Sequence, residues 1–391
     1  MRRVLSIITL CFIGNIGAFA QNVDDVLRTI EQNNKELQAQ RQATDAAKLE
    51  ICSQNGLEDP SVEYSPFFAK NVDGMASSEL VVKQGFDFPS VYAVRHRSGE
   101  LQQEALERQL QAARQEILLE AKTLCLDLIR LRQEYLLLEQ RKKNAEELLT
   151  LTEERLKRGH VGVLELNKVK MERMNVQAEV ARNKADSRTI EGKLQAMNGD
   201  KSLDFTGSDY PKIEPVENYA ELYNEIMSGD VTLQASDFAA QAADKEVDVN
   251  KQKWLPKLEI AYRRNTSLGE KSNGFLIGGS IPIFSNKRKV KIAKAEAVSA
   301  QAQLENVRLQ VKADIESRYH EMQQLRETMS VYDVVLMHKT LQLLYDAVKG
   351  GQLSVIDYYV EVENVYKNLQ AYMGIENQYQ KLMALIYKNR L

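Results

Sequence analysis

The chain has 391 residues, of which 27% are charged and 7 are proline. Its 52 lysine and arginine residues nearly balance its 55 aspartate and glutamate residues, and the resulting net charge of −3 argues against nucleic acid as a general partner. Many charges and few prolines are typical of proteins that consist mainly of long helices.

The N-terminal segment has the features of a secretory signal. Two arginines precede a mostly apolar run, residues 4–12, and Ala18 and Ala20 form a small-x-small cleavage site before Gln21. We therefore expect residues 1–20 to be a signal peptide and the mature chain to be exported. No later stretch reaches the ~18 apolar residues that a membrane-spanning helix needs, so any insertion into a membrane must be by strands.

The mature sequence contains one unit twice. Leu37 aligns with Leu233 at an offset of 196 residues (233 − 37 = 196). The same offset relates three further pairs: Pro60 and Pro256, Glu63 and Glu259, Phe88 and Phe284. We predict a first repeat over residues 21–199, an inter-repeat linker or equatorial segment over residues 200–229, and a second repeat over residues 230–391.

Each repeat begins with a helix that ends near a proline and continues into two predicted strands. Apolar and polar side chains alternate with a period of two, as in Leu80-Val81-Val82-Lys83, which is typical of strands. The expected strands lie at about 60–68 and 79–88 in the first repeat, and at about 257–264 and 274–283 in the second. The connections are rich in Gly, Asn and Ser and predict hairpins.

A very long helix follows the strands in each repeat. In the first repeat its apolar positions recur at alternating steps of four and three, the period of a coiled coil: Ile117, Ala121, Leu124, Leu128, Leu131, Tyr135 and Leu138. We predict turns, called tips here, near 156–163 and 348–354. The glycines of the two tips, Gly159 and Gly351, are separated by 192 residues (351 − 159 = 192), so the second long helix is expected to be shorter.

The two cysteines of the mature chain are not expected to form a disulfide. Cys52 lies eight residues before Pro60, whereas Cys125 lies 36 residues after Pro89 (125 − 89 = 36). At a helical rise of ~1.5 Å per residue the two thiols lie at different distances from the strands, about 12 and 54 Å. A disulfide needs Cα atoms within ~7 Å.

Four strands with one apolar and one polar face cannot close a membrane barrel, because the smallest such barrels use about eight strands. Open edges in lipid leave backbone groups unpaired. Three copies would give about twelve strands and a lumen that side chains do not fill. A homotrimer with pseudo-sixfold symmetry is therefore expected if the hairpins enter a membrane.

Two tip motifs and one strand-to-helix junction carry a family resemblance. The first tip reads Arg155-Leu156-Lys157-Arg158-Gly159 and then Leu164-Glu165-Leu166; the second keeps Gly351, Ile356 and Asp357 but has Ala347 in place of the arginine. The junction reads Ile281-Pro282-Ile283-Phe284, and the first repeat departs from it with Phe86 at the proline position. These motifs resemble those of the TolC-type outer-membrane efflux proteins, and the resemblance covers essentially the whole mature chain.

The resemblance implies a mainly α fold with a small membrane β-barrel, in which three chains form the barrel and a periplasmic α-barrel. It implies a passive channel of a tripartite efflux or export system in the outer membrane of a Gram-negative bacterium. The tips would dock onto a periplasmic adaptor protein of an inner-membrane pump through Arg155, Arg158, Gly159, Gly350 and Gly351.

An acidic ring that narrows the closed lumen would be formed by Asp357. A second acidic position of some members is Val360 here, which argues against a double ring. Because the second repeat carries Asp357 and lacks the tip arginine, we expect the opening motion to be concentrated there.

Enzymatic function is not expected. The chain has no nucleophile-elbow, phosphate-loop or dinucleotide motif, and its four histidines lack metal-ligand spacing, so neither a cofactor nor a metal is predicted. Two other classes stay open: a periplasmic adaptor, which would show one helical hairpin and more strand, and a soluble exported coiled-coil scaffold. The exported substrate and the pump class are not determined by the sequence.

Overall fold

The computed structural model describes residues 22–70, 72–214, 216, 218–267, 270–282 and 286–391. The expected signal peptide, residues 1–20, lies outside this range, as do Ile283 and Phe284 of the junction motif. The nine helices of the described residues are α1 Val23–Asn33, α2 Lys35–Ser53, α3 Pro89–Lys157, α4 Val163–Met197, α5 Tyr219–Gly229, α6 Val231–Gln252, α7 Asn286–Ser330, α8 Val334–Lys349 and α9 Val355–Ile386. The strands are β1 Ser61–Phe67, β2 Ser77–Phe86, β3 Lys257–Ser267 and β4 Glu270–Ser280.

The chain divides into two compact units that do not coincide with the two repeats. Among the described residues, unit 1 comprises residues 22–33, 124–212 and 341–363, and unit 2 comprises residues 34–123, 213–340 and 364–391. Each unit therefore receives segments from both copies of the duplicated sequence.

The duplication is visible in the helix caps. The Asn34 side chain accepts a hydrogen bond of 2.8 Å from the Leu37 amide, and the Asp230 side chain accepts one of 2.8 Å from the Leu233 amide. Both caps satisfy a backbone donor that the first turn of a helix leaves unpaired. Because 230 − 34 = 196, these caps follow the sequence offset, and they separate α1 from α2 and α5 from α6.

The segment expected to be a linker, residues 200–229, contains α5, which occupies the place in the second repeat that α1 occupies in the first. Leu222 and Ile226 of this helix are buried in the core of unit 2. The sequence did not predict this helix, because its two buried apolar residues are four positions apart and follow a segment rich in proline and polar residues.

The long helix of the second repeat is broken, contrary to the sequence expectation. Helix α3 is continuous over 69 residues, whereas its counterpart is divided into α7 and α8, with residues 331–333 outside any helix. Asp333 caps the new helix, because its carboxylate accepts a hydrogen bond of 2.8 Å from the Leu336 amide. A side chain that bonds the backbone locally favours a helix start over a helix interior.

The four strands form one antiparallel sheet in the order β1-β2-β3-β4. Strand β2 ends at Phe86, so Phe88, which the alternation placed on the strand, lies in the connection to α3. The second hairpin is tighter than expected, because Asn265 pairs with Ser272 and Thr266 pairs with Lys271 in the register of β3 and β4. The polar composition of this segment had predicted a longer loop.

The two faces of the sheet differ in character. One row across the strands joins Val62, Val82, Tyr262 and Phe275, and the neighbouring row joins Ile260 with Ile277. Phe275 and Ile277 are each 83% exposed. On the other face Lys83 forms an ion pair with Glu63 at 2.8 Å, and Arg263 forms one with Glu79 at 2.8 Å.

Each unit has its own apolar core. In unit 1 Leu138 and Ala145 of α3 pack with Val176 and Val180 of α4. The coiled-coil positions predicted for α3 are buried or, at Tyr135, half-buried. In unit 2 the core at the C-terminal end of α9 includes Leu382, Met383 and Ile386.

Among the described residues, every helix is too short or too polar to cross a bilayer. Cys52 is exposed, Cys125 is buried, and both are free thiols. Burial raises the pKa of Cys125 to about 12, because a thiolate is poorly solvated in an apolar environment.

Candidate functional site

The candidate site is formed by the two tips, which both belong to unit 1. At tip 1, which joins α3 to α4, the Gly159 amide donates to the Leu156 carbonyl and the His160 amide donates to the Arg155 carbonyl. At tip 2, which joins α8 to α9, the Gly351 amide donates to the Val348 carbonyl and the Gln352 amide donates to the Ala347 carbonyl. Both tips therefore end their helix with the same hydrogen-bond pattern.

Glycine is required at the centre of each turn. Gly159 has φ = 74° and Gly351 has φ = 73°, in the left-handed region that L side chains rarely adopt. The shared glycine in the sequence thus corresponds to a shared backbone conformation at the two tips.

The returning helices begin with acidic residues at equivalent positions. The Gly162 amide donates to Glu165 at 2.9 Å at the start of α4. At the start of α9 the Ser354 hydroxyl donates to Asp357 at 2.7 Å, and the Asp357 amide donates to the Ser354 hydroxyl at 3.1 Å. The exposed Asp357 carboxylate thus helps to start its own helix. A substitution of Asp357 therefore changes this cap as well as any charge that it contributes to a lumen.

Arg155 connects the two tips within one chain. Its guanidinium donates to the Val348 carbonyl at 3.3 Å and to the Lys349 carbonyl at 2.9 Å. These carbonyls lie in the last turn of α8, where backbone acceptors lack helical partners and a cation is favoured by the helix dipole. The equivalent residue of tip 2, Ala347, has no side-chain donor and can make no such contact. Of these two equivalent residues, only Arg155 therefore connects the tips.

A second contact lies one to two turns deeper. The Tyr345 hydroxyl and the Lys349 ammonium both donate to the Glu147 carboxylate, the latter at 3.4 Å. The hydrogen bond from Tyr345, then that from Lys349, lowers the pKa of Glu147. Burial, followed by the hydrogen bond to Glu147, raises the pKa of Tyr345. Both shifts indicate a carboxylate that stays charged and a phenol that stays protonated at neutral pH.

The remaining predicted tip residues are presented to solvent. Arg158 is exposed in the turn of tip 1, and Gly350 is exposed at the end of α8. Beside Arg158 an apolar pair, Val163 and Leu164, is also exposed, with Leu164 at 72%. Tip 1 therefore offers a cation next to an apolar surface, which suits contact with another protein better than contact with a small ion. Within the described ranges, no cluster of three or more His, Cys, Asp and Glu side chains could hold a metal ion.

The structure brings Arg155 and tip 2 together, whereas sequence reasoning had treated the two tips separately. That reasoning missed Glu147, Tyr345 and Lys349. Tyr345 and Lys349 are four residues apart, so they lie on one face of α8, and Glu147 lies eight residues before Arg155 on α3. These spacings were available in the sequence, but nothing in them indicated that the two faces meet.

Comparison with known proteins supports the resemblance seen in the sequence. Residues 222–336 match the model of the family described as outer membrane efflux protein. No curated protein sequence matches the chain.

Several solved structures, including the following three, resemble nearly the whole chain. CusC has a TM-score of 0.75 and 14% identity, with 94% of this chain and 91% of CusC covered. The CmeC outer-membrane channel of Campylobacter jejuni has a TM-score of 0.72 and 15% identity, covering 94% of this chain and 85% of CmeC. The outer-membrane protein VceC of Vibrio cholerae has a TM-score of 0.68 and 16% identity, covering 94% of this chain and 95% of VceC. Residues 222–336 thus resemble an outer membrane efflux protein domain, and the fold of the chain is that of the TolC-type outer-membrane channels.

Proposed function

We propose that this chain is the outer-membrane channel of a tripartite efflux or export system in a Gram-negative bacterium. Three copies form a passive conduit whose strands cross the outer membrane and whose tips dock onto a periplasmic adaptor protein that connects the channel to an inner-membrane pump. The chain carries no chemistry of its own in this proposal, since the pump selects and drives the substrate.

The observation that carries the proposal is the two-faced sheet. Its apolar face leaves Val62, Tyr64, Ile260, Phe275 and Ile277 exposed, a continuous surface that a soluble protein would bury. Its other face holds charged pairs that suit a water-filled lumen. An apolar outer face and a polar inner face are the pattern of strands in an outer-membrane channel.

The open edges of the sheet support the proposed trimer. Strands β1 and β4 each pair on one side only, so every copy has two open edges. In lipid each unpaired backbone group costs several kcal/mol, which pairing of β4 with β1 of a neighbouring copy avoids. Three copies of four strands give about twelve, enough for an aqueous lumen.

The tips supply the periplasmic end of the conduit. Arg155 and Glu147 hold tip 2 against the first repeat of the same chain, and moving tip 2 outward breaks these contacts. Their counterparts in the second repeat, Ala347 and Lys339, cannot reproduce them. We therefore place the opening motion at tip 2.

Membrane fractionation tests the proposal against its alternatives. The channel is expected in the outer-membrane fraction as a trimer that changes its mobility on heating. A soluble monomer in the periplasmic fraction would contradict the proposal and favour a coiled-coil scaffold or an adaptor.

The lumen gate is tested by conductance in planar bilayers. Asp357→Ala is expected to raise the ion conductance of the closed pore and to lower its cation selectivity. Asp357→Asn removes the charge but can still accept a hydrogen bond from Ser354, so it separates the electrostatic effect from loss of the cap. Glu165→Gln is the matched control, since it changes the equivalent carboxylate of tip 1. Unchanged conductance in both Asp357 variants would remove this residue from the gate.

Docking is tested by placing a photo-crosslinking residue at Arg158 or at its counterpart Gly350 (158 + 192 = 350). A crosslinked adaptor protein at both positions indicates that the two tips dock alike. Crosslinking at Arg158 alone indicates that the differing side chains of the tips decide the contact. No adaptor at either position would contradict docking through the tips.

A further inference from the structure

A cluster of basic side chains lies at the start of α7, shortly after the end of the sheet. Its members, called the junction cluster here, are Lys287, Arg288, Lys289, Lys291 and Lys294. All five are exposed, and none forms an ion pair or hydrogen bond with another described residue. No acidic residue occurs among residues 286–294.

Acidic residues lie close to basic ones near the corresponding junction of the first repeat. Arg95, near the start of α3, forms an ion pair with Asp87 at 2.6 Å. Lys257, at the start of β3 in the second repeat, forms an ion pair with Glu58 at 2.5 Å and approaches Asp87 at 3.8 Å. Arg95 and Lys257 therefore have partners within the chain, whereas the residues of the junction cluster lack them among the described residues.

The stability of α7 does not explain the cluster. Cations near a helix N-terminus interact unfavourably with the helix dipole, and neighbouring like charges repel one another. Each side chain of the junction cluster therefore disfavours the helix that carries it. Such an arrangement is relieved when an anionic partner binds.

The surroundings of the cluster are those of a membrane interface. Lys257 at the start of β3 pairs with Ser280 at the end of β4, so the chain segments beyond both residues leave the same end of the sheet. Trp254, 63% exposed, precedes β3, and exposed Ile281 follows β4. Exposed Ile292 lies among the cations themselves. Exposed tryptophan beside basic residues is typical of the boundary between lipid and water.

We propose that the junction cluster binds the phosphate groups of anionic phospholipids in the membrane leaflet nearest the helices. The proposal rests on the proposed function, because it requires the apolar face of the sheet to lie in a bilayer. Lysine and arginine side chains reach headgroup phosphates while their stems and Ile292 contact the acyl region. An acidic protein would match the charge equally well, but it would not account for the exposed apolar residues beside it.

The chain contains a single tryptophan, Trp254, which serves as the probe. The full chain is reconstituted into phosphatidylcholine bilayers that contain increasing fractions of either brominated phosphatidylglycerol or brominated phosphatidylcholine, and quenching of tryptophan fluorescence is measured. We expect phosphatidylglycerol to be preferred at Trp254 by about fivefold or more, the effect of roughly one favourable charge contact at a membrane surface.

The variant that tests the cluster combines Lys287→Gln, Lys291→Gln and Lys294→Gln, which lie on one side of α7 at helical spacing. Its preference for phosphatidylglycerol should fall close to one. The matched control replaces three exposed lysines elsewhere, Lys170, Lys193 and Lys312, with glutamine and should keep the preference. Equal quenching by both lipids in the unaltered protein, or an unchanged preference in the cluster variant, would overturn the proposal.

Two further outcomes separate the possible sources of failure. If neither brominated lipid quenches Trp254, the junction does not lie at a bilayer, and the proposed function fails with the lipid site. If both quench equally, only the lipid site fails. Inorganic phosphate should reduce the preference no more than sodium chloride of equal ionic strength; a greater reduction would identify free phosphate, not lipid, as the ligand.

Discussion

The middle of the long helix differs between the two repeats, although the backbone turns at their tips have the same hydrogen bonds and the same glycine conformation. Counted back from the tips, Arg141 in the first repeat corresponds to Asp333 in the second (141 + 192 = 333). Arg141 pairs with Glu172 of α4 at 2.6 Å and with Glu179 at 3.0 Å, and α3 runs through this point without a break. Asp333 instead caps α8 after the break.

The difference shows how one duplicated helix acquired two uses. A cation with two acidic partners fastens α3 to the returning helix α4. The positions of α9 that correspond to Glu172 and Glu179 are Asn364 and Ala371, so a cation at position 333 would find no partners there. The break in the second repeat therefore reflects a local cap together with the loss of the ion pairs opposite it.

The largest expected effect comes from removing the ion pairs that Arg141 forms between α3 and α4 in the first repeat. Arg141→Gln leaves the Glu172 carboxylate, which is 12% exposed, without its cation. We expect the free energy of local unfolding of α4 to fall by about 3 kcal/mol, the lower end of values for a buried ion pair. Hydrogen–deuterium exchange of α4 peptides measures this loss.

The matched control for Arg141 is Arg318→Gln in the second repeat. Arg318 pairs with Asp314 at 2.9 Å on one exposed helix, and such pairs contribute only about 0.3–0.5 kcal/mol. Similar losses in the two variants would mean that the ion pairs of Arg141 do not hold α3 to α4.

The next largest effect tests whether the glycine turn is equally important for stability at the two tips. Gly159→Ala and Gly351→Ala each place a side chain on a left-handed backbone, and we expect each to cost about 1–2 kcal/mol in local stability. Asparagine tolerates this conformation better, so Gly159→Asn and Gly351→Asn should cost less. Exchange rates of the tip amides provide the measurement. A loss of stability at only one tip would show that the same turn geometry does not make the two glycines equally important for stability.

The two-copy organisation, the four strands and the turn glycines could be predicted because each leaves a local or periodic signal. Gly159 and Gly351 align at one offset, and the period-two alternation marks β2 and β4. The resemblance to TolC-type channels rested on the tip motifs and the strand-to-helix junction, and it is confirmed by the family match over residues 222–336 and by the fold.

The break before α8 and the contacts between the tips could not be predicted in the same way. In the sequence Asp333 is one of many polar residues along a predicted long helix, and its capping role depends on the backbone around it. The contact of Glu147 with Tyr345 joins residues 198 positions apart (345 − 147 = 198), for which one sequence offers no pairing information. Docking by Arg158 and gating by Asp357 stay predictions.

A smaller effect is expected at the break itself. Asp333→Ala removes the cap of α8 and should cost about 1 kcal/mol, seen as faster exchange in the first turn of that helix. Asp333→Asn can still accept the hydrogen bond from the Leu336 amide and is the control. If both variants exchange like the unaltered protein, the cap does not set the position of the break.

The smallest effect concerns the contact between the tips, where the first repeat holds the second. The hydrogen bonds from Tyr345 and Lys349 lower the pKa of Glu147, so their contribution is present above the ordinary carboxyl value of 4.5 and is lost as the pH falls through the lowered pKa. As the pH falls through this range and Glu147 is protonated, the amides at the end of α8 should lose protection against hydrogen exchange.

Tyr345→Phe removes the larger of these two causes and therefore moves the acid-induced loosening to higher pH, toward 4.5. The effect at neutral pH is small, because Lys349 still contacts the carboxylate and the site is open to water. The control is Glu153→Gln, which removes an exposed carboxylate on α3, the helix that carries Glu147, and should leave the pH dependence unchanged. Identical pH profiles for the unaltered protein and Tyr345→Phe would mean that this hydrogen bond does not hold tip 2, and the asymmetry between the tips would then rest on Arg155 alone.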